Sequence, residues 1–150
     1  MKSSIINGIR IFAPNSKNEF LNYVLHNKQI LVAVNAEKIL KASQETKEII
    51  NNNIGYPDGI GAVWALEKKG CKNIVKIPGC ELWLSIIKKH YKAKSFYLVG
   101  GKQEIIEATV AQLKSEFDGV NICNFRNGYI NSENEELELI EDINKHKPDI

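Results

Sequence analysis

Short apolar runs alternate with stretches of helical periodicity along most of the chain, and this alternation limits the fold more than any other feature. Residues 29–34 (QILVAV), 54–56, 95–99 (SFYLV) and 120–125 are too short for buried helices and rich in branched or aromatic side chains, as strands are. Residues 74–77 read as a further short extended piece, and residues 5–12 as a strand or hairpin broken near Asn7-Gly8. Between these runs the period changes. Residues 16–26 put Phe20, Leu21 and Val24 on one side, with Ser16 placed to cap the helix. Residues 36–52 read as mostly helical, anchored by Ile39, Leu40, Ile49 and Ile50, and residues 60–69 as a helix ended by Gly70. Leu82, Trp83, Ile86, Ile87 and Tyr91 share one face, as do Ile106, Val110, Leu113 and Phe117. Residues 135–144 form a last helix with Leu137 and Ile140 turned inward, and Trp64 and Trp83 read as core anchors.

Strands separated by helices of this length make βαβ units. The expected fold is therefore α/β: a mainly parallel, Rossmann-like sheet with helices on both faces, as a single domain over residues 1–150. In such sheets ligands sit where the strands end, so the residues just after each strand are the candidates for function.

Four strand ends carry suitable residues. Asn35 follows the 29–34 run and is either a helix cap or a donor to a sugar hydroxyl or phosphate. Asp58, in Tyr56-Pro57-Asp58-Gly59-Ile60-Gly61, is either a cap or a general base, with Gly59 and Gly61 leaving room for close approach. Gly100-Gly101 after SFYLV make a plain tight turn or turn backbone N–H groups toward an anion. Tyr129, in Asn127-Gly128-Tyr129, either packs or stacks on a base or sugar. Neither a GxGxxG fingerprint nor a P-loop is present, and no Ser stands in a GxSxG setting. His26, His90 and His146 lack metal-ligand spacing, and His90 reads as structural.

Charge narrows the partners. A formal net charge of +2 is too small to point to nucleic acid. Residues 57–94 hold eight Lys against three acids, which suits a diphosphate, an anionic membrane surface, or simply solvated helix faces. Cys71, Cys80 and Cys123 form no CxxC pair and imply neither a disulfide framework nor a zinc site, so a reducing, cytoplasmic setting is expected. The N-terminus is not a signal peptide, and no apolar run approaches the roughly 20 residues needed to cross a bilayer.

Taken together, LVAVNAEKIL (31–40), YPDGIGAVWA (56–65), PGCELW (78–83), FYLVGGKQEIIE (96–107), NGYI (127–130) and KPDI (147–150) resemble the WecG/TagA/CpsF glycosyltransferases, in the family's order and spacing across almost the whole chain. LVAVNAEKIL and FYLVGGKQE are particularly similar to the enterobacterial members that act in enterobacterial common antigen synthesis, the UDP-N-acetyl-D-mannosaminuronic acid transferases. The resemblance implies transfer of an N-acetylmannosamine-type sugar from a UDP-sugar donor to a polyprenyl-linked sugar acceptor on the inner face of the membrane. It also implies inversion at the anomeric carbon and no metal or other cofactor. By the same resemblance Asp58 is the catalytic base, and Asn35 and Gly59 line the pocket. The family's usual Arg before its (V/I)-(T/A)-G-x-D-L stretch is here Lys76, which keeps the charge but loses the bidentate fork, and Glu81 stands for the usual Asp. The family also continues past KPDI with a Gly-rich strand end and a basic, membrane-associating tail, so a missing C-terminal part is expected, with peripheral membrane contact and homo-oligomers as further expectations. Two other readings stay open from the residues: a non-catalytic nucleotide-sugar-binding module and a nucleotide-dependent oxidoreductase, the latter disfavoured by the missing GxGxxG.

Overall fold

The computed structural model describes residues 1–27 and 29–150, which divide into two compact units, Met1–Trp83 and Leu84–Ile150. The first unit opens with the expected hairpin, β1 (Ser3–Ile6) antiparallel to β2 (Ile9–Phe12). Its turn residues Asn7 and Gly8 both have positive φ, 48° and 80°, as a two-residue type I′ turn demands. Asn7 also donates its side-chain amide to Ile39 O at 2.7 Å. Helix α1 (Lys17–Leu25) follows, and Ser16 caps it by accepting from Glu19 N.

Strand β3 (Leu31–Val34) runs parallel to β4 (Ile54–Pro57), in register Leu31↔Ile54 through Val34↔Pro57. Only Val34 of β3 is fully buried, whereas every residue of β4 is. β2 packs closely on β4: a Cβ on Gly55 would lie 2.7 Å from Arg10 O and 2.7 Å from Ile50 Cγ2, so only glycine fits. Asn51 ties the two layers, accepting from Arg10 N at 2.7 Å and donating to Gly8 O at 2.8 Å. The core holds Ile9, Ile11, Val34, Ile39, Ile50, Ala62, Val63, Leu66 and Ile74, each large apolar side chain contributing about 1.5–3 kcal/mol on burial.

The continuous helix expected over 36–52 is two helices, α2 (Ala36–Lys41) and α3 (Gln44–Asn51). The break has a local cause: Ala42 turns extended (ψ 131°) and Ser43 caps α3 by accepting from Thr46 N. Ile39 and Ile50 are buried as expected, but Leu40 and Ile49 are exposed. Helix α4 (Ile60–Lys68) ends with Gly70 in the left-handed region. Residues 74–77 form no strand, yet Val75 N donates to Pro14 O and Ile77 N to Pro57 O, both at 2.9 Å. Helix α5 (Gly79–His90) carries the boundary between the units. Trp64 of α4 and Trp83 of α5 are 59% and 42% exposed, so neither is the core anchor its sequence context suggests.

In the second unit β5 (Ser95–Val99) pairs in parallel with β6 (Asn121–Arg126). Helix α6 (Gln103–Glu116) buries Ile106, Val110 and Leu113, and Phe117 follows them into the interior, as the spacing predicts. Helix α7 (Glu133–His146) departs from expectation, since Leu137 and Ile140 are both exposed. Its tie to the strands is polar: Asp142 accepts from Tyr97 Oη at 2.5 Å and Asn124 Nδ2 at 2.6 Å. The hydrogen bond from Tyr97, the largest influence, holds the Asp142 carboxyl below its ordinary range against an opposing desolvation. After α7, Ile150 N donates to Ser95 O at 3.1 Å and Ile150 O accepts from Tyr97 N at 2.9 Å, so the chain lies alongside β5 as a strand would.

Candidate active site

The parallel register of β3 and β4 fixes the first cluster. Val34 and Pro57 are paired, so Asn35 and Asp58 leave neighbouring strands at the same level, and Asp58 N donates to Val34 O at 3.0 Å. The two helices that follow also converge. A Cβ on Gly61 would stand 2.9 Å from Ala36 Cβ, so this glycine lets the starts of α2 and α4 come together.

Asn35 and Asp58 differ in what their side chains do. Asn35 caps α2, its Oδ1 accepting from Lys38 N at 2.9 Å. Asp58 does not cap α4. Gly59 holds the cap position, at φ 90° where a side chain would be strained, and no side chain hydrogen-bonds the helix start. Among the described residues the Asp58 carboxylate makes no hydrogen bond and no ion pair, and it is half-buried. The alternative that Asp58 serves as a helix cap is thereby removed.

Two further residues reach this cluster. The bond from Ile77 N to Pro57 O lays the 74–77 segment beside the end of β4 and brings Lys76 and Pro78-Gly79 to the Asp58 side. Lys76 is exposed and forms no ion pair among the described residues. A Cβ on Gly79 would lie 3.1 Å from Tyr56 Oη, 3.5 Å from Ala33 Cβ and 3.7 Å from Asp58 Oδ2. Tyr56 is buried against Phe20, and burial first, then the charges of Asp58 and Cys80, pushes its hydroxyl up to about 12. Its phenol therefore stays a hydrogen-bond donor at neutral pH. Sequence reasoning passed over Tyr56, although alternation along a strand puts residues i and i+2 on one face and so pairs it with Asp58.

The second unit holds the remaining candidates. Gly100 and Gly101 both have positive φ, and Gly128 packs on them so tightly that its Cβ would stand 3.1 Å from Gly100 Cα. Gly100 N is taken by Arg126 O at 3.2 Å, and Gly101 O accepts from Gly128 N at 3.0 Å. Of the two glycine amides considered for an anion, that of Gly101 alone has no acceptor among the described residues. Tyr129 is 57% exposed, its backbone held by Asn127 Oδ1 and its ring in no aromatic contact among the described residues, so packing does not explain it. His90, as expected, is structural: it lies on α5, where burial, then Lys89 and Lys94, lower its pKa. Among the described residues no group of three or more His, Cys, Asp or Glu is arranged to hold a metal ion, and no helix is long and apolar enough to cross a membrane.

The family model described as glycosyl transferase WecG/TagA/CpsF family matches residues 5–150.

Proposed function

The chain belongs to the WecG/TagA/CpsF glycosyltransferase family, and from that premise we propose that it moves an N-acetylmannosamine-type sugar from a UDP-sugar to a polyprenyl-linked sugar acceptor, with inversion, in cell-surface polysaccharide biosynthesis. The observation that carries this reading is the uncommitted Asp58 carboxylate at the end of β4. A base for a sugar hydroxyl must be free to accept its proton and must lie where the substrate binds.

In the proposed reaction Asp58 takes the proton of the attacking acceptor hydroxyl. The oxygen forms a bond to the anomeric carbon as the bond from that carbon to the β-phosphate oxygen breaks, and UDP departs with the electron pair. Lys76 offsets the charge growing on the leaving diphosphate. The free amide side of Asn35 meets a sugar hydroxyl, Gly59 keeps the approach open, and Gly100, Gly101 and Tyr129 serve the nucleotide. No metal enters the scheme, so a chelator leaves turnover unchanged. Contact with the acceptor makes the protein a peripheral visitor to the cytoplasmic face of the membrane.

Donor-dependent UDP release tests the base. Asp58→Asn keeps nearly the shape of the residue and should lower kcat by about 10²–10⁴-fold, while UDP binding measured by calorimetry persists. Turnover of the variant near that of the unaltered chain excludes the role. UDP binding with no turnover in the unaltered chain, even with a C-terminal segment supplied, would favour the non-catalytic module instead.

A further inference from the structure

We propose that the first turn of α5, with the Tyr56 hydroxyl beneath it, is a phosphate-binding site that takes a phosphate of the donor's diphosphate. The proposal rests on the transferase reading for the identity of the ligand, but the site is argued from its own geometry.

Three features meet there. First, the start of α5 is open. Glu81 N and Leu82 N both donate to Pro78 O, at 3.1 Å and 3.0 Å, while the amides of Gly79 and Cys80 donate to nothing among the described residues. Uncapped N–H groups at the positive end of a twelve-residue helix attract an anion. Second, Tyr56 is 4% exposed, yet its hydroxyl has no hydrogen-bond partner among the described residues. A buried hydroxyl without a partner is costly unless something else fills that need. The oxygen is not itself sealed in: Arg10 Nε and His90 Nε2 are the unpartnered side-chain atoms enclosed among the described residues. Third, residue 79 has no side chain. A Cβ there would stand 3.1 Å from the Tyr56 oxygen and would fill the space in front of it. Lys76, three residues upstream and unpaired, supplies a cation on the same approach.

The neighbour that opposes an anion is Asp58, whose Oδ2 lies 3.7 Å from the same Cβ position. That opposition identifies the site. An anion bound here feels the Asp58 charge, whereas one held by surface lysines such as Lys69 and Lys72 does not.

The test is a ¹H–¹⁵N NMR titration of the intact chain with inorganic pyrophosphate. The amides of Gly79 and Cys80 should shift and saturate together. Tyr56→Phe should weaken the affinity about tenfold, as loss of a hydrogen bond to a charged group does. Asp58→Asn should tighten it about threefold or more by removing a like charge. Should Tyr56→Phe fail to fold, judged from the same spectra, Gly79→Ala tests the space and should likewise weaken binding. Shifts confined to residues 69–73 or to Gly100-Gly101 overturn the site, as does an affinity indifferent to both Tyr56 and Asp58. If pyrophosphate leaves α5 untouched while Asp58→Asn still abolishes turnover, this site falls and the transferase reading stands. If pyrophosphate binds as described while Asp58→Asn turns over normally, the site stands and the base role falls.

Discussion

Gly61→Ala would separate the two helices that present Asn35 and Asp58, and its cost follows from one distance. The new Cβ would stand 2.9 Å from Ala36 Cβ. Carbon atoms in contact rest at about 3.5–4.0 Å, so the starts of α2 and α4 would have to part by roughly 0.6–1.1 Å. Overpacking of this kind costs about 1–3 kcal/mol, and the better helix propensity of alanine returns up to about 1 kcal/mol. The net loss is then about 0–2 kcal/mol, too wide a range to decide anything alone. A double-mutant cycle decides it. Ala36→Gly removes the opposing methyl, so in the double variant Gly61→Ala should be neutral or stabilising, and the coupling should be about 1–3 kcal/mol. Urea unfolding followed by circular dichroism measures it, and tryptophan fluorescence reads the first unit alone because Trp64 and Trp83 both lie there. Effects that add to within about 0.5 kcal/mol would refute the contact. A displacement near 1 Å at a reacting group can cost about 10²-fold in rate, so turnover should fall with Gly61→Ala and recover in the double variant.

Other expectations follow from the same structure. Asn7→Ala removes the bond to Ile39 O and leaves a residue with a Cβ at φ 48°, so urea unfolding should show a loss of about 1–2 kcal/mol, with Asn7→Gly milder. Tyr56 and Tyr97 are both raised to about 12. Absorbance titration of the five tyrosines should show two late steps, and Tyr56→Phe and Tyr97→Phe should each delete one. A raised folded value means these phenols favour the native state in full below pH 10 and lose that contribution as pH climbs from 10 through 12. Asp149 has the opposite sign. The Ser95 amide first, then Lys94 and the Ser95 hydroxyl, hold it at about 2 from an ordinary 3.8. Its contribution is present above 3.8 and fades as pH falls through about 2, so Asp149→Asn should flatten the acid limb of the stability curve in that window.

Much of the fold is legible in the sequence where one residue has one physical task. Asn7-Gly8 could only turn a hairpin, Ser16 could only cap, and α6 had a single apolar stripe to bury. The reading fails where apolar residues are neighbours. Ile39 with Leu40, and Ile49 with Ile50, are about 100° apart on a helix, so a helix resting on one surface buries one of each pair. Periodicity does not say which, and Leu40 and Ile49 are the ones left out. Leu137 and Ile140 fail differently. On α7 the sheet is met by Asp142 and its bonds to Tyr97 and Asn124, a long-range polar contact that no hydrophobic pattern announces. The break at Ala42 was within reach, because Ser43 three residues before Thr46 is a capping arrangement inside an otherwise helical run.

Asn35 and Asp58 looked alike from sequence, each a short polar residue between a strand and a helix. What divides them is the next residue. After Asn35 comes Ala36, an ordinary start to a helix, and the Asn35 oxygen goes to Lys38 N. After Asp58 comes Gly59 at φ 90°, which takes the cap position itself and moves the aspartate one step back from the helix. A glycine that reaches this φ without strain thus leaves a half-buried carboxylate without a structural partner at the end of a strand. An unpaired charge held there costs stability and gives the fold nothing in return. In a family whose chemistry is sugar transfer, that expense is explained by a hydroxyl that arrives with the substrate and hands its proton to Asp58.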